Sequence, residues 1–522
     1  MVHTAYLVKG KTKESLSRNS WKWRVVLMWL KPEAPPHHPP TRESIEPGKM
    51  EHPPKRTKLN NNTNNYSGYT LLQSNAPLTH LTSPPDPKEF FHAFIKTRRP
   101  CVIPSQITTT TTTTTGFQQW SSNDYLKATA GDATVRVEIR TKHGTAYGQG
   151  HYETMTFSSF LSLLEQGSTS HYLTTQDIDV DEEGRPALMS SPCIELSRDF
   201  PLVPALAGHL IPMNINIWMG NSTTTDGGQP TSSGLHHDFH DNLYVLLRGK
   251  KKFRLFSPAD ATKLHTQGAI QMVHPNGRIC YEHELTNADG STDEARQAME
   301  ASEAMDAATI ELEQAEASVE KGEPGSQARL ARAEERMDLA MERTMDFEMM
   351  NGNGDEEEEE EYEGEMWGNT GLAMSDGKNG DSGGRKSDKD EEEDEDQNED
   401  GGRDQGTEGK ETAMPMDNTD TPEPAPKHFS QIDMSRKDRM DLWPGLKTAT
   451  MTEVELNAGD MLYLPAGWFH EVLSETTRDN DGHMAFNYWF HPPDGETFDA
   501  PYASTFWSKD WLRQATHQQH SL

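Results

Sequence analysis

The spacing of apolar positions changes along this chain, and each change marks a different kind of element. Near the start, Phe90, Phe91, Phe94 and Ile95 fall at helical spacing behind Asp86, Pro87 and Glu89, which read as N-cap, first-turn and capping-box residues. A second short helix is expected around Phe157 to Leu164. Between them, the Thr108 to Thr115 run and Gly116 read as a loop, because one repeated β-branched residue sets no register. Strand patterns take over from Met213. Ile215 to Gly220 and Asn242 to Leu247 are β-rich, Arg248-Gly249 turns the chain, and Lys250 to Phe256 alternates basic and apolar residues. The last two runs are expected to pair as a hairpin. Asp293 to Phe347 is helix-forming again, with many charges and a thin apolar seam broken at Gly322-Glu323-Pro324-Gly325. It fits a helical pair, a marginal coiled coil or a solvated single helix. Gly459 to Pro465 reads as turn, buried strand and turn. Phe506, Trp507, Trp511 and Leu512 suggest a closing aromatic helix that packs on the barrel or makes a homodimer contact.

Composition divides this pattern. A chain of 522 residues suggests about three domains, yet 33% hydrophobic content is low for three cores, so much of it is not core. The net charge of −34 is concentrated in a segment that includes Asp355 to Glu361 and Glu391 to Asp396. Such sequence cannot bury enough apolar surface to offset its ordering entropy and is expected to be disordered. The expected division is therefore a disordered extension over 1–76, helices and the first part of the folded domain over 77–281, an acidic insertion over 282–427 whose helical part is 293–347, and the rest of the domain over 428–513. The extension is Pro-rich over Pro32 to Pro40 and Asn-rich over Asn60 to Asn65, and Met50 is an alternative start. The acidic balance belongs to the insertion; it argues against direct nucleic-acid binding and leaves a basic protein partner open. Cys101, Cys193 and Cys280 lack the pairings of a zinc site or disulfide framework, which fits a reducing compartment. No apolar run is long enough for a membrane span and no secretory signal is visible, so a cytoplasmic or nuclear location is expected. The basic run Pro54 to Leu59 is a nuclear-import candidate.

The chemistry is carried by His236, Asp238 and His470. In an extended strand, side chains two apart point the same way, so the first histidine and the aspartate of His-x-Asp can grip one ion while His237 points elsewhere. A third ligand at His470 completes the two-histidine, one-carboxylate set that holds Fe(II) in oxygenases. His240 shares the face but lies too far along the strand to join them. Asp238 and His470 are 470 − 238 = 232 positions apart, a spacing compatible with one barrel once the insertion is set aside. An α-keto acid chelating that iron needs a cation at its far carboxylate, and Lys251 on the adjacent strand is placed to supply it, with Lys250 or Lys252 next in line.

Ser233 to Tyr244, Ile215 to Gly220, Gly249-Lys250-Lys251, Gly459 to His470 and Phe486-Asn487-Tyr488-Trp489 together resemble JmjC-type cupin oxygenases. The resemblance is greatest to the small JmjC-only lysyl hydroxylases and covers roughly Leu78 to Asp510. It implies a mainly β fold with flanking helices, a double-stranded β-helix of the jelly-roll type. It also implies Fe(II), 2-oxoglutarate as cosubstrate, O2, and hydroxylation of a protein side chain, lysine first. By matching positions, His236, Asp238 and His470 are the iron ligands and Lys251 holds the distal carboxylate. Tyr172, Asn487, Asn242 and Ser233, which stands where the family has threonine, lie near the cosubstrate. The resemblance admits a GTP-binding protein as substrate. Asp241 is available to pair with a cationic substrate side chain. Three other readings stand beside hydroxylation: demethylation of N-methyl-lysine, a non-catalytic cupin scaffold carrying the acidic segment, and a cupin metalloenzyme with no keto-acid cosubstrate, which would not need Lys251.

Overall fold

The β-branched and aromatic runs become strands. In the computed structural model, which describes residues 63–104, 116–140, 151–180, 186–222, 231–351, 425–475 and 482–521, the first are β1 (Thr63–Asn64), β2 (Thr79–His80), β3 (Cys101–Pro104), β4 (Thr134–Ile139), β5 (His151–Thr156), β6 (His171–Leu173), β7 (Pro212–Gly220), β8 (Thr231–Ser232) and β9 (His236–His237). They continue as β10 (Asp241–Arg248), β11 (Lys250–Phe256), β12 (Ile270–Val273), β13 (Ile279–Tyr281), β14 (Met451–Asn457), β15 (Asp460–Leu464), β16 (Phe469–Glu475) and β17 (His483–Phe490). The larger sheet runs β2-β3-β15-β10-β17-β7-β6-β4-β5, the smaller β14-β11-β16-β8 with β9 on β16, and β1-β12-β13 form a third. Each central strand is flanked by antiparallel neighbours distant in sequence: β10 by β15 and β17, β11 by β14 and β16. This interleaving is the jelly roll of a double-stranded β-helix, in the mainly β, helix-flanked class expected.

The expected hairpin between Asn242–Leu247 and Lys250–Phe256 does not form. β10 and β11 are joined by Gly249 alone, too short for a two-residue hairpin turn, so the chain crosses from one sheet to the other. Gly249 has φ 79, and a Cβ there would sit 2.8 Å from the Glu475 carbonyl oxygen. Between the sheets, Leu246, Leu255, Leu456, Leu462, Trp468 and Ala485 are fully buried, each large side chain contributing about 1.5–3 kcal/mol.

Helix α1 (Pro87–Phe90) starts as expected, with the Asp86 carboxylate accepting from the Lys88 amide at 2.9 Å and the Glu89 amide at 3.4 Å. It continues as a wider turn, Phe91–Ile95, and Phe90, Phe91, Phe94 and Ile95 are buried. α2 (Gly116–Gln119) begins at the glycine read as loop, and the threonine run before it lies outside the described residues. α3 (Asn123–Ala130) is an addition to the expected helices, and α4 (Phe157–Glu165) matches its expectation. α5 (Asp293–Glu320) and α6 (Ser326–Asn351) form the helical pair, turning at Gly322 and Gly325. Their buried alanines recur seven apart, Ala301, Ala308 and Ala315 on one, Ala333 and Ala340 on the other, the period of a coiled-coil seam.

Structure extends beyond the boundaries drawn from composition. Leu71 joins the core and β1 pairs with β12, within the stretch read as extension. Residues 282–292, read with the insertion, tie into the barrel: Asn276 Nδ2 donates to the Ala288 carbonyl at 2.8 Å and Trp507 Nε1 to that of Asp289 at 2.9 Å. Asp289 is fully buried against Arg296 at 2.8 Å. The acidic clusters, the Pro-rich stretch, Met50 and the basic run lie outside the described residues. Residues 62–507 form one unit, which includes α7 (Arg439–Leu442) and the first residues of α8 (Phe506–Ser521), where Phe506 and Trp507 are buried. Among the described residues no helix is long and apolar enough to cross a membrane.

Candidate active site

Register brings the three metal-ligand candidates together. His470 on β16 pairs directly with His236 on β9, and Asp238 follows one residue beyond that strand. The Gly467 amide donates to the Asp238 carbonyl at 2.9 Å, fastening the two ligand-bearing segments. Gly467 has φ 76, and a Cβ would lie 1.8 Å from the Gly277 carbonyl oxygen, so this approach requires glycine. One donor atom from each of His236, Asp238 and His470 lies within 4.8 Å of the others. Asp238 Oδ1 is 4.0 Å from His236 Nε2, and Oδ2 is 3.9 Å from His470 Nε2.

The surroundings set how these groups point. His236 Nδ1 meets the Gly234 carbonyl at 2.9 Å and His470 Nδ1 the Trp468 carbonyl at 3.1 Å. A carbonyl only accepts, so each Nδ1 carries the proton and each Nε2 lone pair faces Asp238. Burial and the neighbouring His470 bring His236 down to about 4, the neutral form a metal needs. Asp238 Oδ2 accepts from Asn242 Nδ2 and Trp489 Nε1, both at 3.3 Å. Behind them Trp218 Nε1 donates to Asn487 Oδ1 at 2.7 Å, and Asn487 Nδ2 to Asn242 Oδ1 at 3.2 Å. Asn242 and Asn487 therefore orient the carboxylate. His237 turns away to the Tyr281 hydroxyl at 2.6 Å, and His240 packs beside Trp489 and His491, outside the ligand set.

The cluster opens into a cavity of about 100 Å³ between the sheets, walled by Tyr244, Phe253, Leu464 and Val472. Alternation on β11 decides which lysine enters it. Lys251, Phe253 and Leu255 point inward and are buried, while Lys250 and Lys252 pair outside with Glu455 at 2.9 Å and Glu453 at 2.7 Å. Lys251 Nζ donates to Ser474 Oγ at 2.7 Å and lies 6.0 Å from the Tyr172 ring centre. Burial, then Arg140, holds its ammonium down at about 7. Tyr172 and Ser233 also line the cavity. The Ser233 hydroxyl is engaged by backbone, accepting from the Val472 amide at 2.9 Å and donating to the Gly234 carbonyl at 2.9 Å.

Asp241 does not face a substrate. It is fully buried, receives the Arg98 guanidinium through both oxygens, and accepts from the Tyr463 hydroxyl at 2.7 Å and the Ala466 amide at 3.0 Å. Arg140, Ser474 and His428 are lining residues that local sequence does not mark. Arg140 and Ser474 depend on register across strands; His428 stands where the chain re-enters the barrel.

The donor set, two imidazole nitrogens and one carboxylate with the ring protons tied back, fits Fe(II). Residues 87–496 match the cupin-like domain family. The chain is 32% identical over 471 residues to the JmjC domain-containing protein 4 of Schizosaccharomyces pombe, covering 84% of this chain and 89% of that one. It is 23% identical over 210 residues to the human bifunctional peptidase and (3S)-lysyl hydroxylase JMJD7, covering 37% of this chain and 60% of that one. It is also 23% identical over 209 residues to the lysine-specific demethylase JMJ32 of Arabidopsis thaliana, at 38% and 55% coverage. With the jelly roll and the His-Asp-His cluster already in place, these matches make the chain a member of the cupin-like JmjC family of oxygenases.

Proposed function

We propose that this protein is an Fe(II)- and 2-oxoglutarate-dependent hydroxylase of a protein side chain, lysine in the first instance. The observation that carries the reading is one cavity holding both the His236, Asp238 and His470 cluster and the buried ammonium of Lys251. His236, Asp238 and His470 would hold the metal. Iron bound there supplies coupling of O2 reduction to 2-oxoglutarate oxidation, with transfer of oxygen to a C–H bond.

The chain's own residues do the positioning. Lys251 and Leu255 face Ser474 and His470 across β11 and β16, four residues or roughly 13 Å apart along the strands. Lys251, Ser474 and His470 line the one cavity, so a five-carbon dicarboxylate would lie with one end toward the cluster and the other at Lys251. Tyr244, Phe253, Leu464 and Val472 keep bulk water away. A cytoplasmic or nuclear protein with exposed lysines would be the substrate, and the acidic segment after α6 would favour a basic one.

Demethylation of N-methyl-lysine is the second reading, supported by the relative named a demethylase. The test is iron-dependent succinate release from 2-oxoglutarate, followed by mass spectrometry of the trapped protein substrate. Retention of one added oxygen supports hydroxylation. Formaldehyde release would replace it by demethylation, and no succinate with any protein fraction would sink both.

A further inference from the structure

Where the chain returns to the barrel, residues 428–430 lie along β9. The His237 amide donates to the His428 carbonyl at 3.3 Å and the Ser430 amide to that of Leu235 at 2.8 Å. On the other edge of the run the Gln267 amide donates to the Phe429 carbonyl at 2.7 Å. Phe429 stacks on the His236 ring, with 4.8 Å between centres and 12° between planes. This backbone, held on both edges, brings His428 to the cavity wall, its ring centre 6.3 Å from that of His236 and 5.4 Å from that of Phe239. The imidazoles beside it are engaged, His236 and His470 by carbonyls and His237 by the Tyr281 hydroxyl. His428 is half-buried, and among the described residues neither of its ring nitrogens makes a hydrogen bond. His240 makes none either, but it packs beside Trp489 and His491. A polar ring fixed at a cavity wall with both nitrogens unused calls for a partner that enters the cavity.

Its place in the sheet says which partner. β9 and β16, which carry His236 and His470, stand between β11 and the run 428–430, so Lys251 and His428 are on opposite sides of the ligand cluster. The two lysine and arginine side chains that line the cavity, Lys251 and Arg140, both face the Tyr172 ring, at 6.0 and 5.3 Å. Around His428 the lining groups are imidazoles, the Asp238 carboxylate and the Phe239 ring, so charge steers an amine to this side. Resting on the reading above, we propose that His428 receives the amine of the substrate side chain, accepting its hydrogen bond and so holding the methylenes next to it at the cluster. An imidazole offers a lone pair on one nitrogen, and a lysyl side chain brings its donors on a flexible four-carbon stem. The 6.3 Å between the rings of His428 and His236 is a span that such a stem bridges. An alkyl side chain without the amine leaves the lone pair unmet and binds more weakly.

The test is a binding measurement that needs no turnover. Iron-loaded full-length protein, saturated with 2-oxoglutarate and kept anaerobic, is titrated with Nα-acetyl-lysine methylamide and with the norleucine analogue, which lacks the amine. Wild type is expected to prefer the lysine compound by about tenfold or more. His428→Phe keeps a ring in place without its nitrogens; it should bring the two affinities within about twofold of each other and leave that for norleucine as in wild type. His428→Gln, which retains an acceptor, should recover part of the preference. Iron content, melting temperature and calorimetric 2-oxoglutarate affinity check the fold, and His428→Leu takes the place of His428→Phe if the larger ring fails that check. A folded His428→Phe or His428→Leu protein with wild-type preference would overturn the role of His428 alone. Wild-type protein that binds neither compound, or both equally, would overturn it together with lysine as the substrate side chain, while iron-dependent succinate release reports separately on the oxygenase.

Discussion

At the scale of single residues, the site is a balance between what a ligand needs and what burial penalises. Lys251 shows this most clearly, being 1% exposed with its ammonium donating to the Ser474 hydroxyl. Its value near 7 lies below the ordinary 10.5, so the folded protein holds this proton less tightly than the unfolded chain. The penalty is complete below about pH 7 and is relieved as pH rises toward 10.5. Lys251→Met removes it. Without ligand, the variant should therefore gain melting temperature over wild type near pH 6, and the gain should shrink by about pH 9. A pH-independent difference would show that the ammonium is satisfied as it stands. The same variant loses a charge-assisted partner for the distal carboxylate, about 2–5 kcal/mol, so 2-oxoglutarate affinity should fall by roughly 30-fold or more. His236→Ala and Asp238→Ala should instead abolish iron binding, read by metal analysis, with melting temperature nearly unchanged in the metal-free protein. Retained iron would mean that the ligands are misassigned. His236 and Asp238 are legible in the sequence because their logic is local, a two-residue spacing on one strand face, and Lys251 as a lysine on the adjacent strand; the alternation that separates it from Lys250 and Lys252 is set by the fold. Arg140 and Ser474 are not legible there, since each acquires its role only from the strand opposite.

Elements fail or hold as paired sets. The runs later seen as β10 and β11 were visible as strands, but a strand pattern does not name its partner, and a tight Gly turn reads equally as hairpin or sheet crossing. Asp241 was misread for a related reason. In the sequence it is one more polar residue beside the metal motif; in the fold it is the hub that joins Arg98, Tyr463 on β15 and the Ala466 amide in the turn before His470. Asp241→Ala leaves the Arg98 guanidinium, 3% exposed, without its countercharge, which typically costs about 3–5 kcal/mol. Urea denaturation should report a loss of that order. Because the turn bearing His470 loses its anchor, iron should bind more weakly even under conditions where the variant is folded. A loss below about 1 kcal/mol would mean that water or another group replaces the carboxylate.

At the scale of the whole molecule, the edges that composition draws for the inserted segment differ from those of the fold. Polar sequence that ties down a barrel looks like polar sequence in solvent, so residues 282–292 were grouped with the acidic tract although Arg278 Nε donates to Thr286 Oγ1 at 2.8 Å and Asp289 is fully buried. The re-entry point is equally tied: the Gly268 amide donates to the Lys427 carbonyl at 2.9 Å, and Lys427 pairs with Glu284. The chain therefore leaves and rejoins the barrel at one place, and a short connection can close it. Replacing residues 302–424 with a flexible linker of about ten residues spans the roughly 14 Å of helix retained from Asp293. Closure entropy changes by only about 0.6 kcal/mol per halving of loop length, so iron content, melting temperature and uncoupled succinate release should match the full chain. Replacing 282–427 instead removes the Ala288, Asp289 and Lys427 attachments and should lower the melting temperature and iron content together. If the acidic tract recruits a basic substrate, the 302–424 variant should also lose the salt dependence of coupled turnover while keeping the uncoupled rate. Equal behaviour of the two deletions would show that residues 282–292 contribute nothing to the barrel, and a 302–424 deletion that cannot bind iron would show that the helical pair is part of its core.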